Sequence, residues 1–265
     1  MTIPVVLSGL PGSISTEVMK AIRAQPDMTL LPYALTGPTT KESPYDGIAL
    51  VGPDGHEACL RELLAMQRDL LAVDFSRADM ARQASLYADV GVPFVYGGTI
   101  GNRADADEVV RANPVSAVIA PNMSKQLVAW TAALEYLAHE FPGAFTGYRG
   151  HLRESHQQTK RDPSGTGRAW TQVLAELGIT FDEMESVREP AMQRELGVPD
   201  SVLSSHAYHW VDLSNSGMGA GFYTRVNGRR TYADGAVDAI RYLSRKMREG
   251  SMGEVFSMTD VLRNR

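Results

Sequence analysis

One cysteine, Cys59, is all that the 265 residues contain. It has no partner for an internal disulfide, so neither a disulfide-stapled scaffold nor a cysteine-based metal centre can be assembled. An excess of basic charge is missing as well. Lys and Arg number 26 against 31 Asp and Glu, for a formal net charge of −5. The charges are scattered without a basic stripe, which argues against nucleic acid as a partner. No apolar run approaches the roughly 20 residues that span a bilayer. The opening "MTIPVVLSGL" has no basic region before its apolar stretch, so no membrane partner and a cytoplasmic location are expected. There is no internal repeat and no low-complexity tract. What is present is 43% hydrophobic residues, over a length that suits one large domain or two modest ones and can bury a substantial core.

Short apolar runs alternate with stretches of helical period. Residues 3–7, 30–35, 47–51, 70–75, 93–96 and 115–120 read as buried strands, and 15–24, 56–67, 78–90 and 105–111 as helices between them. Such βαβ alternation predicts a parallel sheet covered by helices, because parallel neighbours need crossover connections. From Met123 the pattern changes. A helix over 124–140 leads to strand-like "AFTGYRGHLRES", a helix over 165–177, and strand-like "AYHWVDL" and "GAGFYTRVNG". That succession predicts a second, mixed α+β domain. The closing "GAVDAIRYLSRKMREG" is again helical, with Arg and Lys toward its C-terminus as the helix dipole prefers.

The first strand runs into "SGLPGSIS". Gly9 and Gly12 there have the spacing of the first two glycines of a dinucleotide-binding turn, and Ser15 stands where a third is usual. Such a turn aims a helix N-terminus at a pyrophosphate, although an ordinary glycine turn explains the same residues. An NAD-selective site normally ends its second strand on an acid. Here "ALTGPTTKE" offers Thr36, Thr39, Thr40 and Lys41, which tolerate a 2′-phosphate better than a carboxylate would and favour NADPH modestly over NADH. Gly97, Gly98 and Thr99 fall at the end of the fifth strand, where open α/β sheets bind ligands. Asn122 and Ser124 follow the sixth, and could equally be caps of the next helix.

The stretch "RESHQQTKRDPSGTGRAW", residues 153–170, concentrates chemistry. With His156 at the end of a strand, Lys160 in the following loop and a helix opening near Ser164, the amides of Gly165 and Thr166 would sit at a helix N-terminus and suit a carboxylate. Lys160 adds a full charge, and His156 can give up a proton near neutral pH. A polar loop with a Ser164 or Asp162 cap would explain the Ser, Gly and Thr but neither the His nor the Lys. His206 and His209 invite a metal reading, yet in a strand their spacing puts them on opposite faces without an acidic or cysteine partner, so no metal is expected.

These residues resemble the signature of the dihydrodipicolinate (4-hydroxy-tetrahydrodipicolinate) reductases, E-[AS]-H-x-x-x-K-x-D-(A)-(P)-S-G-T, here carried by Glu154, Ser155, His156, Lys160, Asp162, Ser164, Gly165 and Thr166. The likeness continues through "VDFS" at 73–76, "VPFVYGGTIG" at 92–101, "VIAPNMSKQLVAW" at 118–130, "LGVPDSVLSSHAYH" at 196–209, "YADGAVDAI" at 232–240 and "MTDVLR" at 258–263. It covers nearly the whole chain, and Gln157 with the 196–209 segment is similar to the plant-type branch. The resemblance implies a Rossmann-type dinucleotide-binding domain, 1–123 with 234–265, and a central α+β substrate-binding and oligomerisation domain, 124–233, with an open mixed sheet. It implies NADPH or NADH as cofactor and a conjugated cyclic imine dicarboxylate of lysine and diaminopimelate biosynthesis as substrate.

Position by position, His156 matches the general acid and Lys160 the substrate-binding cation. Gln157, Ser164, Gly165 and Thr166 complete the substrate site. The cofactor is implied at Gly9, Pro11, Gly12, Ser13 and Ile14, at Thr36 and Lys41, at Phe75 and Ser76, at Gly97, Gly98 and Thr99, and at Pro121, Asn122 and Met123. Three positions depart from the family: Ser15 for the third glycine, Gly98 for a threonine, and Gln157 for a second histidine. They leave room for a homologous reductase of another cyclic imine or unsaturated amino-acid precursor, and for a non-catalytic nucleotide-binding regulator. The retained acid and cation argue against the regulator, since a sensor needs no proton donor. A homo-oligomer, dimer or tetramer, built through the central sheet is expected.

Overall fold

A computed structural model describes residues 2–40, 43–161 and 163–264; Lys41 and Asp162 lie outside them. The chain divides into two compact units, Met1–Lys125 with Arg230–Arg265, and Gln126–Arg229.

The first unit opens with β1 (Ile3–Ser8), α1 (Ser13–Arg23), β2 (Met28–Leu35), β3 (Ala49–Val51), α2 (His56–Met66), β4 (Leu71–Asp74), α3 (Met80–Val90), β5 (Phe94–Tyr96), α4 (Arg103–Arg111) and β6 (Ala117–Ile119). All six residues of β1 are buried, as a central strand covered on both faces must be. Leu60, Leu63, Tyr87, Val110, Phe94 and Ile119 belong to one continuous buried cluster of this unit. Asp79 caps α3 and Asn102 caps α4, each side chain accepting a bond from a first-turn amide.

The second unit holds α5 (Lys125–Glu140, whose first residue belongs to the first unit), β7 (Arg149–His156), α6 (Gly165–Glu176), β8 (Thr180–Phe181), β9 (Glu185–Val187), α7 (Pro190–Glu195), β10 (Ala207–Ser214) and β11 (Gly219–Val226). Its sheet runs β11-β10-β7-β8, with β9 also pairing with β7. β10 is antiparallel to both β7 and β11. The strand expected from Ala144 begins only at Arg149, because Gly143 and Gly147 at φ of 73° and 87° turn the preceding backbone.

The chain then returns to the first unit with α8 (Arg230–Arg248), β12 (Val255–Phe256) and α9 (Met258–Arg263). β12 pairs with β6, giving the order β12-β6-β5-β4-β1-β2-β3, all parallel. The order reverses between β1 and β4, the switch point at which open α/β sheets bind ligands. α8 closes tightly on the loop after β6: a Cβ at Gly235 would lie 1.7 Å from the Met123 carbonyl oxygen. The expected α/β sheet with a second mixed sheet is the observed architecture.

Candidate active site

In the first unit the β1–α1 turn is shaped by close approach. Gly9 has φ of 101° and its amide donates to the Leu35 carbonyl at 2.9 Å. A Cβ at Gly9 would come within 2.8 Å of the Phe75 and Ser76 backbone, so the turn after β1 lies directly against the one after β4. Gly12 donates to the Gly9 carbonyl at 2.8 Å, and a Cβ there would meet that same oxygen. Ser13 and Ile14 open α1, where amides lack intrahelical acceptors. A glycine cradle beneath a helix N-terminus at the switch point fits a dinucleotide pyrophosphate.

Ser15 does not obstruct this turn. Its hydroxyl is buried, donates to the Ser8 carbonyl at 3.4 Å, and occupies the space that a Gly9 side chain would need. The Thr36 hydroxyl is also turned inward, donating to the Leu10 carbonyl at 2.7 Å and bonding with Thr40 at 2.8 Å. It is committed to the fold rather than offered to a ribose phosphate, and Lys41 is not among the described residues. Gly97 sits under the Phe75 ring and Gly98 against the Tyr96 phenol, each so closely that a Cβ would overlap the ring. The phenol donates to the Ala78 carbonyl at 2.9 Å, so Tyr96 fills the space of the missing threonine side chain. Asn122 accepts from the Ser124 amide at 3.0 Å, whereas Ser124 bonds with Thr231 at 3.1 Å instead of capping α5. Pro121 is exposed and Met123 buried, while Thr99 is exposed.

In the second unit, register assembles the chemistry. β10 sets His209 opposite Glu154 on one side of β7, and β9 sets Ser186 beside Glu154 on the other. Glu154, fully buried, accepts from the Ser164 amide at 2.8 Å, from the Ser186 hydroxyl at 2.8 Å and from Arg188. His156 Nε2 lies 3.3 Å from its Oε2, outside hydrogen-bond alignment. Burial alone would push this carboxyl up, but His156, Arg188 and Ser186 together outweigh it and hold it below the usual carboxylate range.

The signature loop is therefore pinned at several points. Arg188 Nε donates to the Lys160 carbonyl at 2.9 Å, and Gln193 donates to the His156 carbonyl at 2.7 Å. Ser164 caps α6 by accepting from the Gly167 amide at 3.2 Å and shares a 2.8 Å bond with His209 Nε2. Gly165 and Thr166 thus open α6 as expected, and a Cβ at Gly165 would meet nothing within 4 Å. Lys160 and Gln157 are half-buried, and among the described residues no carboxylate pairs with Lys160. A fixed carboxylate, an imidazole, a cation and open helix amides can together bind an acid-bearing molecule and deliver a proton to it.

His206 lies just before β10, outside the strand expected to carry both histidines, and it and His209 have different partners. His206 Nε2 bonds with Ser155 at 2.8 Å, while the His209 ring meets those of His156 and Trp170 edge-on, each at 5.3 Å. Burial first, then the charges of His156, Arg188 and Lys160, push the His209 pKa down to about 3. Unfolding lets this ring regain its ordinary value of 6.5, so the unfolded state binds the extra proton in between. Stability must fall as pH drops from about 6.5 toward 3. A His209→Gln variant, which keeps a partner for Ser164, is expected to flatten the fall in denaturation midpoint between pH 6.5 and 4.5. An unchanged slope would contradict the buried neutral ring.

Ser186, Arg188 and Gln193 carry no motif and were not readable as site residues; only the pairing of β9 with β7 brings them in.

A parallel sheet with a glycine-cradled helix N-terminus at its switch point, followed by a second sheet bearing an acid-base loop, defines a nicotinamide-dependent oxidoreductase. Residues 128–262 match the family model described as dihydrodipicolinate reductase, C-terminus. The chain is 36% identical over 98% of its length to 4-hydroxy-tetrahydrodipicolinate reductase 1, chloroplastic, of Arabidopsis thaliana, covering 78% of that protein. It is 34% identical, again over 98%, to the probable reductase 2, chloroplastic, of Oryza sativa subsp. japonica, covering 83% of it. A dipicolinate-bound dihydrodipicolinate reductase from Paenisporosarcina sp. TG-14 shares the fold at a TM-score of 0.67 and 18% identity, with 97% and 98% of the two chains covered. The chain belongs to the dihydrodipicolinate reductase family, on its plant branch. The expected cytoplasmic location is overturned by these plant relatives, which are named as chloroplastic. Among the described residues no helix is long and apolar enough to cross a membrane.

Proposed function

We propose that the chain reduces a conjugated cyclic imine dicarboxylate, the dehydrated form of 4-hydroxy-tetrahydrodipicolinate, at the expense of NADPH or NADH. The observation that carries this reading lies at the end of β7, where the Glu154 carboxylate accepts from the amide of Ser164, the residue that caps α6, and lies 3.3 Å from His156 Nε2. The dinucleotide is assigned to the unit containing Gly9, Gly12, Phe75 and Gly97, and the substrate to the unit containing His156, Lys160, Gly165 and Thr166. A bound nicotinamide supplies the hydride. Lys160 and the amides of Gly165 and Thr166 hold one substrate carboxylate and fix the ring. As hydride adds to the conjugated imine, electron density grows on the ring and is met by a proton from His156, so that one hydride and one proton are consumed per turnover. Competition is the direct test of the assigned pocket. Pyridine-2,6-dicarboxylate should inhibit against the imine, and a panel of cyclic imines lacking one or both carboxylates should be reduced far more slowly. Equal rates across that panel would favour a homologous reductase with a different substrate.

Lys160→Ala is expected to raise the imine KM roughly 10- to 100-fold, the range of a lost charge-assisted hydrogen bond, with turnover also slowed by loose positioning. An unchanged KM would place the carboxylate elsewhere.

Assembly into a homo-oligomer, dimer or tetramer, is part of the proposal. β11 is an edge strand, and the row Arg153, Trp210, Tyr223 runs across one face of the sheet with Tyr223 62% exposed. An unpaired edge beside exposed aromatic surface favours cover by a second copy. Light scattering at micromolar concentration should give a multiple of 28.9 kDa; the monomer mass would contradict it.

A further inference from the structure

We infer that Glu154, His156 and His209 form a binding site for a borderline transition-metal dication such as zinc, and that occupancy switches the reductase off. The inhibitory consequence rests on the function proposed above; the binding does not. Each of the three side chains offers one ligand atom, and these atoms lie within 4.8 Å of one another. All are buried: His156 is 9% exposed, His209 1%, and Glu154 not at all.

Two ring nitrogens in the cluster make no aligned hydrogen bond within the fold. His156 Nε2 and His209 Nδ1 are buried without a hydrogen-bond partner among the described residues, a costly state that ordinarily has an explanation. His156 Nε2 also points at the cluster, 3.3 Å from Glu154 Oε2. Tetrahedral zinc, with bonds of about 2.0–2.1 Å, holds neighbouring ligand atoms about 3.3 Å apart. The separation is poor for a hydrogen bond and right for a shared metal.

The surroundings supply the outer contacts that ligands of this kind need. Ser164 and Arg188 donate to Glu154, and His209 Nε2 is fixed on Ser164. Two imidazoles and one carboxylate select zinc or cobalt(II) over the hard cations magnesium and calcium. Arg188 opposes a dication, so the site suits an ion strong enough to take His156 as a neutral imidazole and release any Nε2 proton to solvent. Three protein ligands leave a fourth position for water or an anion. With its Nε2 lone pair on the metal, His156 has no proton to give.

The test uses untagged full-length protein and cobalt(II) as the spectroscopic probe. One equivalent is expected to give the visible absorption of a four-coordinate ion, discharged by zinc. His209→Gln and His156→Asn should each weaken binding at least tenfold; either variant suffices should the other fail to fold. Absence of the band, or the same band in the variants, overturns the site. In the activity arm, zinc should lower the rate of imine reduction and a chelator restore it; full activity with the metal bound overturns the switch. Protein that reduces no imine even when metal-free would refute the proposed function, and the cobalt titration would still decide the site.

Discussion

Replacing His156 by alanine is expected to lower kcat by roughly 10²- to 10⁴-fold, the usual contribution of a general acid. The residue ends β7 with its carbonyl held by Gln193 and its ring set against Glu154 and His209. The fold thus fixes both its place and its orientation. The imine KM should move far less than kcat, because Lys160 and the α6 amides remain. Dinucleotide affinity should not move, since the glycine cradle belongs to the other unit. Steady-state kinetics with either cofactor reads all three. Near-normal kcat would remove His156 from the reaction, and a large loss of NADPH binding would show that the change is structural.

Glu154→Ala should destabilise the protein by about 3–5 kcal/mol, the cost of removing one partner from a buried charged pair. The substitution removes the buried acceptor that Arg188, the Ser164 amide and the Ser186 hydroxyl share. Because the Glu154 pKa is lowered on folding, its contribution is complete above its unfolded value of about 4.3 and fades as pH falls through the folded value. The stability gap between wild type and variant should therefore be widest at neutral pH and narrow as pH falls below about 4.3. Substrate affinity should fall with it, as the cap of α6 and the Lys160 loop are tied to this carboxylate. Urea denaturation at pH 7 and pH 3 checks the claim; a variant as stable as wild type at pH 7 would refute it.

Much of this was legible in the sequence, where the signal is local. The six apolar runs of the first unit, the glycine turn and the 153–170 stretch announce themselves through apolar patterning, cap residues and close-packed chemistry, and β1, α1 and α6 lie within a few residues of their expected positions. However, β3, expected to be buried, is half-buried throughout, and β2 is partly exposed. What was not legible depends on pairing between distant segments. Ser186, Arg188 and Gln193 look like ordinary surface polar residues until β9 is laid beside β7. His209 reads as half of an H-x-x-H pair, yet its partners are Glu154 across the strands and Ser164 45 residues upstream. β12, two residues long, carries too little pattern to be seen. Ser15 reads as a defect in a glycine motif because its inward hydrogen bond is a three-dimensional fact.

The most direct test of the central claim is a mass-resolved turnover experiment. Enzymatically generated 4-hydroxy-tetrahydrodipicolinate is mixed with the protein and NADPH deuterated at the transferring position, and the product is weighed. The expected product is tetrahydrodipicolinate carrying one deuterium for each NADPH oxidised, with the rate lost in His156→Ala. Cofactor that stays reduced in the presence of this substrate, while the folded protein binds both, would contradict it.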